Sequence, residues 1–135
     1  MPTHAPRPAR ILSIEDDSAI GQFLQAVLSA NGYAVDLAID GKEGLDTVRA
    51  RRPDVIILDL LMPYKSGFEV LRELKSTPVT SGIPIIILSS NSREEDIVHA
   101  LEAGADDFII KPFRARELLA RVRKVLGPSA TAPPP

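Results

Sequence analysis

The chain has 135 residues, 44% of them apolar, enough to bury one sizeable core and to predict a single domain. Acidic and basic residues nearly cancel, 18 Asp and Glu against 16 Lys and Arg, so no broad field draws it to nucleic acid or to a membrane surface. The absence of cysteine excludes disulfides, thiolate chemistry and Cys-based zinc sites.

The opening MPTHAPRPAR is Pro-rich, with no apolar stretch of signal-peptide length, and no later segment approaches the ~20 apolar residues of a membrane span. Residues 1–9 read as a disordered lead, and the chain reads as cytoplasmic with no membrane contact. Short apolar runs then alternate with segments of helical period. RILSI (10–14) is followed by Ile20, Phe23, Leu24, Val27 and Leu28 on one helical face, and YAVDLAI (33–39) by Leu45 with Val48. VIIL (55–58) precedes Val70, Leu71 and Leu74, and IPIIIL (83–88) precedes Ile97, Val98 and Leu101. FII (108–110) precedes Leu118, Leu119, Val122, Val125 and Leu126. Strand then helix, five times over, predicts a parallel (βα)5 domain across residues 10–126.

Boundary signals agree with that division. Asp40 with Glu43, Ser66 with Glu69 and Ser92 with Glu95 each predict a capping box or its Asp variant. Gly32, Gly104 and Gly127 follow periodic runs, and Pro53 stops the second helix. The third and fourth runs are apolar without alternation, as in central strands covered on both faces, so the expected architecture is a three-layer α/β/α sandwich. GPSATAPPP (127–135) has nothing to bury and reads as a disordered tail or a linker. His4 and His99 read as surface residues.

In an open parallel sheet, ligands bind beyond the carboxyl ends of the strands. Collecting the residues there gives Glu15, Asp16 and Asp17 from the first strand, and Asp59 from the third. The fourth gives Ser89, Ser90 and Asn91, and the fifth gives Lys111 and Pro112. Glu15, Asp16 and Asp59 at ~5 Å and an effective dielectric of ~20 repel by roughly 3 kcal/mol per pair, approaching ~10 kcal/mol in all. That rivals the stability of a whole domain, and Lys111 supplies only one compensating charge. A divalent, oxygen-loving cation is the natural remainder, and Mg2+, which binds through one or two carboxylates plus water and phosphate oxygens, suits a shallow site. A metal, an unpaired carboxylate, a lysine and a hydroxyl on one edge meet the needs of phosphoryl transfer, with Asp59 as nucleophile and Lys111 and Ser89 stabilising the phosphoryl oxygens.

These pieces, with LDLLMP, Gly67 and GADDFIIKPF at their spacings, resemble the receiver domain of two-component response regulators over nearly the whole chain. The resemblance implies a doubly wound, flavodoxin-like sheet of order 2-1-3-4-5. It implies Asp16 as a direct Mg2+ ligand, Glu15 acting largely through water, the Leu61 carbonyl completing the protein's ligands, and Asp59 as the phosphorylated residue. Asp17 falls outside the acidic pair. Ser89 is the switch hydroxyl, Phe108 the switch aromatic, and the Lys111–Pro112 bond is expected to be cis. A sensor histidine kinase or phosphotransfer protein would donate the phosphate. Ser89 would then move inward, Phe108 would follow, and the face of the fourth helix, fifth strand and fifth helix would change partner. The domain would catalyse its own phosphorylation without being an enzyme acting on other substrates.

Several features modify this expectation. Ser66 stands where an acidic residue is frequent in the family, and it caps the third helix equally well. An apolar Leu61 should hinder an attacking water and slow self-dephosphorylation. Asp106 and Asp107 opposite Arg121 and Arg123 resemble the charge pairing of members that dimerise, although Ile97 replaces the usual basic partner of Glu117. Among alternatives, an aspartyl phosphohydrolase of the haloacid-dehalogenase type would want an acid two residues after Asp59, where Leu61 stands. A nucleotide or flavin binder needs backbone amides after the first strand, where IEDDSAIG offers repelling carboxylates. An unphosphorylated interaction module would not need Glu15, Asp16, Asp59, Ser89 and Lys111 together. No residue in the chain suggests direct contact with nucleic acid.

Overall fold

Strands and helices alternate strictly from Arg10 to Leu126 in the computed structural model, which describes residues 7–62 and 65–127. His4 with the rest of the lead to residue 6, Pro63 of LDLLMP, and the tail from residue 128 lie outside the described residues. The elements are β1 (Arg10–Ile14), α1 (Ser18–Ala30), β2 (Ala34–Ala38), α2 (Gly41–Ala50) and β3 (Val55–Leu58). They continue with α3 (Gly67–Ser76), β4 (Ile85–Ser89), α4 (Glu94–Glu102), β5 (Asp107–Ile110) and α5 (Ala115–Leu126). The sheet is parallel throughout, in the order β2-β1-β3-β4-β5 that the family resemblance implies. Among the described residues, no helix is long and apolar enough to cross a membrane.

The two-residue period of the strands sorts the core into two layers. Leu12, Ile14, Ile56, Leu58 and Ile87 face α2, α3 and α4, where Leu45, Val70, Leu74 and Ala100 meet them. Ile11, Ile57, Ile86, Leu88 and Ile109 face α1 and α5, against Leu24, Leu28, Leu118 and Val122. β3 and β4 are buried at every position, as their unbroken apolar runs require. Each fully buried Ile or Leu contributes roughly 2 kcal/mol relative to exposure, so these two strands anchor the domain.

Three of the five helices start on a side-chain cap, and α4 and α5 do not. The Asp40 side chain accepts from Glu43 N at 2.8 Å and that of Ser66 from Glu69 N at 3.3 Å, the two caps expected. Asp17, outside the acidic pair, caps α1 by accepting from Ala19 N and Ile20 N. Gly32, Gly104 and Gly127 take positive φ at the helix stops. Two expectations about α4 fail. Ser92 is not its cap, because the helix starts at Glu94 with Arg93 in the cap position and no side-chain cap bond. Its buried residue is Ala100, with Ile97 partly buried, while Val98 and Leu101 point outward at 41% and 44% exposure. The small Ala100 lets α4 lie close to the sheet, and the larger side chains on either side of it are left in solvent. β4 also begins at Ile85 rather than Ile83, since Pro84 supplies no ladder N–H.

Candidate functional site

The residues of interest sit one position past a strand, where the ladder still holds their backbone. Glu15 N donates to Ala38 O at 3.0 Å, Asp59 N to Ile14 O at 3.0 Å, and Lys111 N to Ser89 O at 2.9 Å. Three side chains are thereby delivered to one edge by backbone bonds that do not depend on the side chains themselves. Gly67 brings α3 against the same edge. A Cβ there would stand 2.2 Å from Asp59 O and 2.5 Å from Leu60 Cα, and Gly67 N donates to Leu60 O at 2.9 Å.

Glu15, Asp16 and Asp59 each offer a carboxylate oxygen within 4.8 Å of the others. Glu15 and Asp59 are 5% and 4% exposed, while Asp16 faces solvent. Lys111 Nζ lies 2.9 Å from Glu15 Oε1 and 3.5 Å from Asp59 Oδ2. Buried Glu15 Oε1 is held by this charged contact with Lys111 and by no other hydrogen bond among the described residues. Glu15 Oε2 accepts from Asp17 N at 3.2 Å, and Asp59 Oδ1 accepts from Leu61 N at 3.0 Å. Burial pushes the Glu15 carboxyl up to about 7, with the nearby Asp59 charge adding to the rise and Lys111 opposing it. For Lys111 burial acts downward, but the hydrogen bonds and charges of Glu15 and Asp59 outweigh it and hold the ammonium above 10.5.

Ser89 closes β4 and Phe108 lies on β5. Ser89 is fully buried and its Oγ accepts from Asn91 N at 3.1 Å. Phe108 pairs in register with Ile87 and is buried in the α2–α3–α4 layer. The Lys111–Pro112 bond is cis. Leu61 is 56% exposed beside Asp59.

The sequence model of the response regulator receiver domain matches residues 11–123. The chain belongs to this family. The response regulator MprA of Mycolicibacterium vanbaalenii is 46% identical over 119 residues, which cover 88% of this chain and 51% of that protein. The chain thus spans about half the length of the curated relatives it matches. Chemotaxis protein CheY4 of Vibrio cholerae superposes with a TM-score of 0.83 at 31% identity, covering 87% of this chain and 98% of its own. The receiver domain of sensor histidine kinase PA1611 from Pseudomonas aeruginosa, crystallised with a magnesium ion in its active site cleft, gives 0.82 at 30% identity, covering 89% and 98%.

Receiver domains are phosphorylation-dependent signalling switches rather than enzymes that turn over a substrate. They bind Mg2+ at an acidic site, and this one has such a cluster. The donor set suits a hard cation: three carboxylates with an oxygen of each within 4.8 Å of the others, two of the groups buried.

Within the one chain, the charged residues at β5 and α5 pair as follows. Arg121 Nη1 bridges both oxygens of Asp107, at 3.1 and 3.2 Å, and Arg121 Nη2 lies 3.6 Å from Glu117, all within one chain. Asp106 precedes β5 and turns the other way, accepting from Ile85 N at 2.8 Å and lying 3.4 Å from Lys75 Nζ. One arrangement escaped sequence reasoning. Asn91 Nδ2 donates to Asp96 Oδ2 at 2.6 Å, and Asn91 Oδ1 accepts from Arg93 N at 3.0 Å. An Asn two residues ahead of the cap position of a helix was the available signal.

Proposed function

We propose that this receiver domain accepts a phosphoryl group from a sensor histidine kinase or phosphotransfer protein onto Asp59, and that the modification alters which protein it binds. The observation that carries the reading is the burial of the Asp59 carboxylate beside Glu15, Asp16 and Lys111 at the carboxyl edge of the sheet. In the transfer, an Asp59 oxygen forms a bond to phosphorus as the phosphorus–nitrogen bond of the donor histidine breaks. The electron pair stays on the imidazole nitrogen and the product is an acyl phosphate. Lys111 is already within reach of Asp59 and neutralises charge on the phosphoryl oxygens, while Ser89 donates its hydroxyl proton to one of them. Asp16, Asp59 and the Leu61 carbonyl, with Glu15 largely through water, would hold Mg2+, which would supply the remaining positive charge.

The donor protein must place its histidine at this edge, so the adjoining surface has to receive it. An apolar cavity of about 430 Å3, lined by Ile20, Phe23, Pro112 and Phe113, opens beside Lys111 and suits that contact. For output, Val98, Leu101 and Ile110 leave apolar surface exposed on α4 and β5. Phe108 is already buried here rather than turned outward, so a movement of Ser89 toward the phosphoryl group would reshape this α4-β5-α5 face, for an effector protein or a second copy, by changing how Phe108 and α4 pack together. The exposed Leu61 side chain shields Asp59 from water and favours a long-lived acyl phosphate. Residues 10–126 act as one domain, with the lead and the tail outside it.

Intact-mass measurement after treatment with acetyl phosphate and Mg2+ tests the proposal. Wild type should gain one phosphoryl group and Asp59→Asn none. A wild type that never gains this mass would end it.

A further inference from the structure

The link between Ser89 and α4 runs through one residue that the reaction itself does not use. A hydroxyl has one proton and two lone pairs. The bond that Ser89 Oγ accepts from Asn91 N occupies a lone pair and leaves the proton free for donation into the cleft. Asn91 spends the rest of its capacity on α4. Its Nδ2 holds Asp96 in the first turn and its Oδ1 takes the N–H of Arg93, the residue at the uncapped start of the helix. Asp96 is in turn 3.3 Å from Arg93 Nε.

α4 has little else to fix it. Its single buried residue is Ala100, against three in α1 and four in each of α2 and α3. Apart from Ile97 at the core, its notable side-chain contact is His99 over Phe68, ring centroids 4.9 Å apart. The hydrogen bonds from Asn91 are therefore a large share of what sets the position of the first turn.

We infer that Asn91, through Asp96, is a positioning residue that couples the Ser89 hydroxyl to α4 and holds the helix in the placement described above. This rests on the reading that Asp59 is phosphorylated and specifies how the same site is regulated. When Ser89 Oγ shifts toward a phosphoryl group, Asn91 N must follow or let go. If it follows, the Asn91–Asp96 bond is strained and α4 is pulled. If it lets go, Ser89 loses the contact that orients it. Either way the tether opposes the phosphorylated state, so cutting it favours that state.

The test uses the full chain as wild type, Asp96→Ala and Asp96→Asn, titrated with beryllofluoride and Mg2+ by calorimetry. Asp96→Asn keeps an acceptor for Asn91 Nδ2. Arg93→Ala is the charge control, since it removes the ion pair but not the tether. Asp96→Ala should bind beryllofluoride about fivefold more tightly, the equivalent of one ordinary hydrogen bond in differential stability. Asp96→Asn and Arg93→Ala should stay close to wild type. In a Ser89→Ala background the effect of Asp96→Ala should vanish. A merely structural Asp96 would lower the unfolding midpoint without tightening the complex. Unchanged or weaker binding by Asp96→Ala overturns the inference while leaving phosphorylation of Asp59 standing. Failure of wild type to bind beryllofluoride or gain phosphate brings down the functional reading, and the inference with it.

Discussion

Replacing Glu15 by Gln should remove a specific fall in stability with rising pH. Folding raises this carboxyl from its ordinary 4.5 to about 7. Between those values the folded protein holds a proton that the unfolded chain has released. Stability therefore falls as pH rises through the interval and levels off above the folded value. At about 1.4 kcal/mol per proton per pH unit, with partial titration at either end, the loss from about pH 5 to about pH 7.5 is about 2 kcal/mol. The corresponding drop in melting temperature is about 8 °C. The amide of Glu15→Gln does not titrate, so its stability curve should lack this component. Urea unfolding of both proteins in EDTA across that range measures the difference directly. Adding Mg2+ at the upper end should restore wild type more than Glu15→Gln, since the ion binds the deprotonated site. Parallel curves for the two proteins in EDTA, or a wild type that gains on the variant as pH rises, would refute the reasoning.

Gly67→Ala puts a methyl 2.2 Å from the Asp59 carbonyl, so backbone must move; about 1–3 kcal/mol of destabilisation by urea unfolding, together with weakened Mg2+ binding, is expected. Leu61→Asn should shorten the lifetime of the acyl phosphate, followed by loss of phosphoryl mass after the donor is removed, and an equal or longer lifetime would count against the shielding role of Leu61. Phe23→Ala should slow phosphorylation by a histidine kinase severalfold and leave the acetyl phosphate rate unchanged, because only the protein donor needs the cavity beside Lys111. Sedimentation with and without beryllofluoride should show dimer only in the activated state, and monomer in both would remove self-association through α4-β5-α5 from the output.

The features legible without a structure are those that contiguous residues encode. Five apolar runs with helical segments between them required a parallel α/β sheet, because the buried strands had to be covered on both faces. Carboxylates, a hydroxyl and a lysine placed just after those runs had to meet, since parallel strands all end on the same side. The Asp40 and Ser66 caps were equally local. What only the tertiary structure decided depends on partners far apart in the chain. α4 broke the pattern because a helix that buries one small Ala needs no apolar stripe, and so Val98 and Leu101 were free to face outward. Asp106 and Asp107 are neighbours of one chemistry, yet the strand's alternation sent one to Lys75 and the other to Arg121. The tie from Ser89 through Asn91 to Asp96 depends on the angle at which β4 hands over to α4, and periodicity carries no information about that angle.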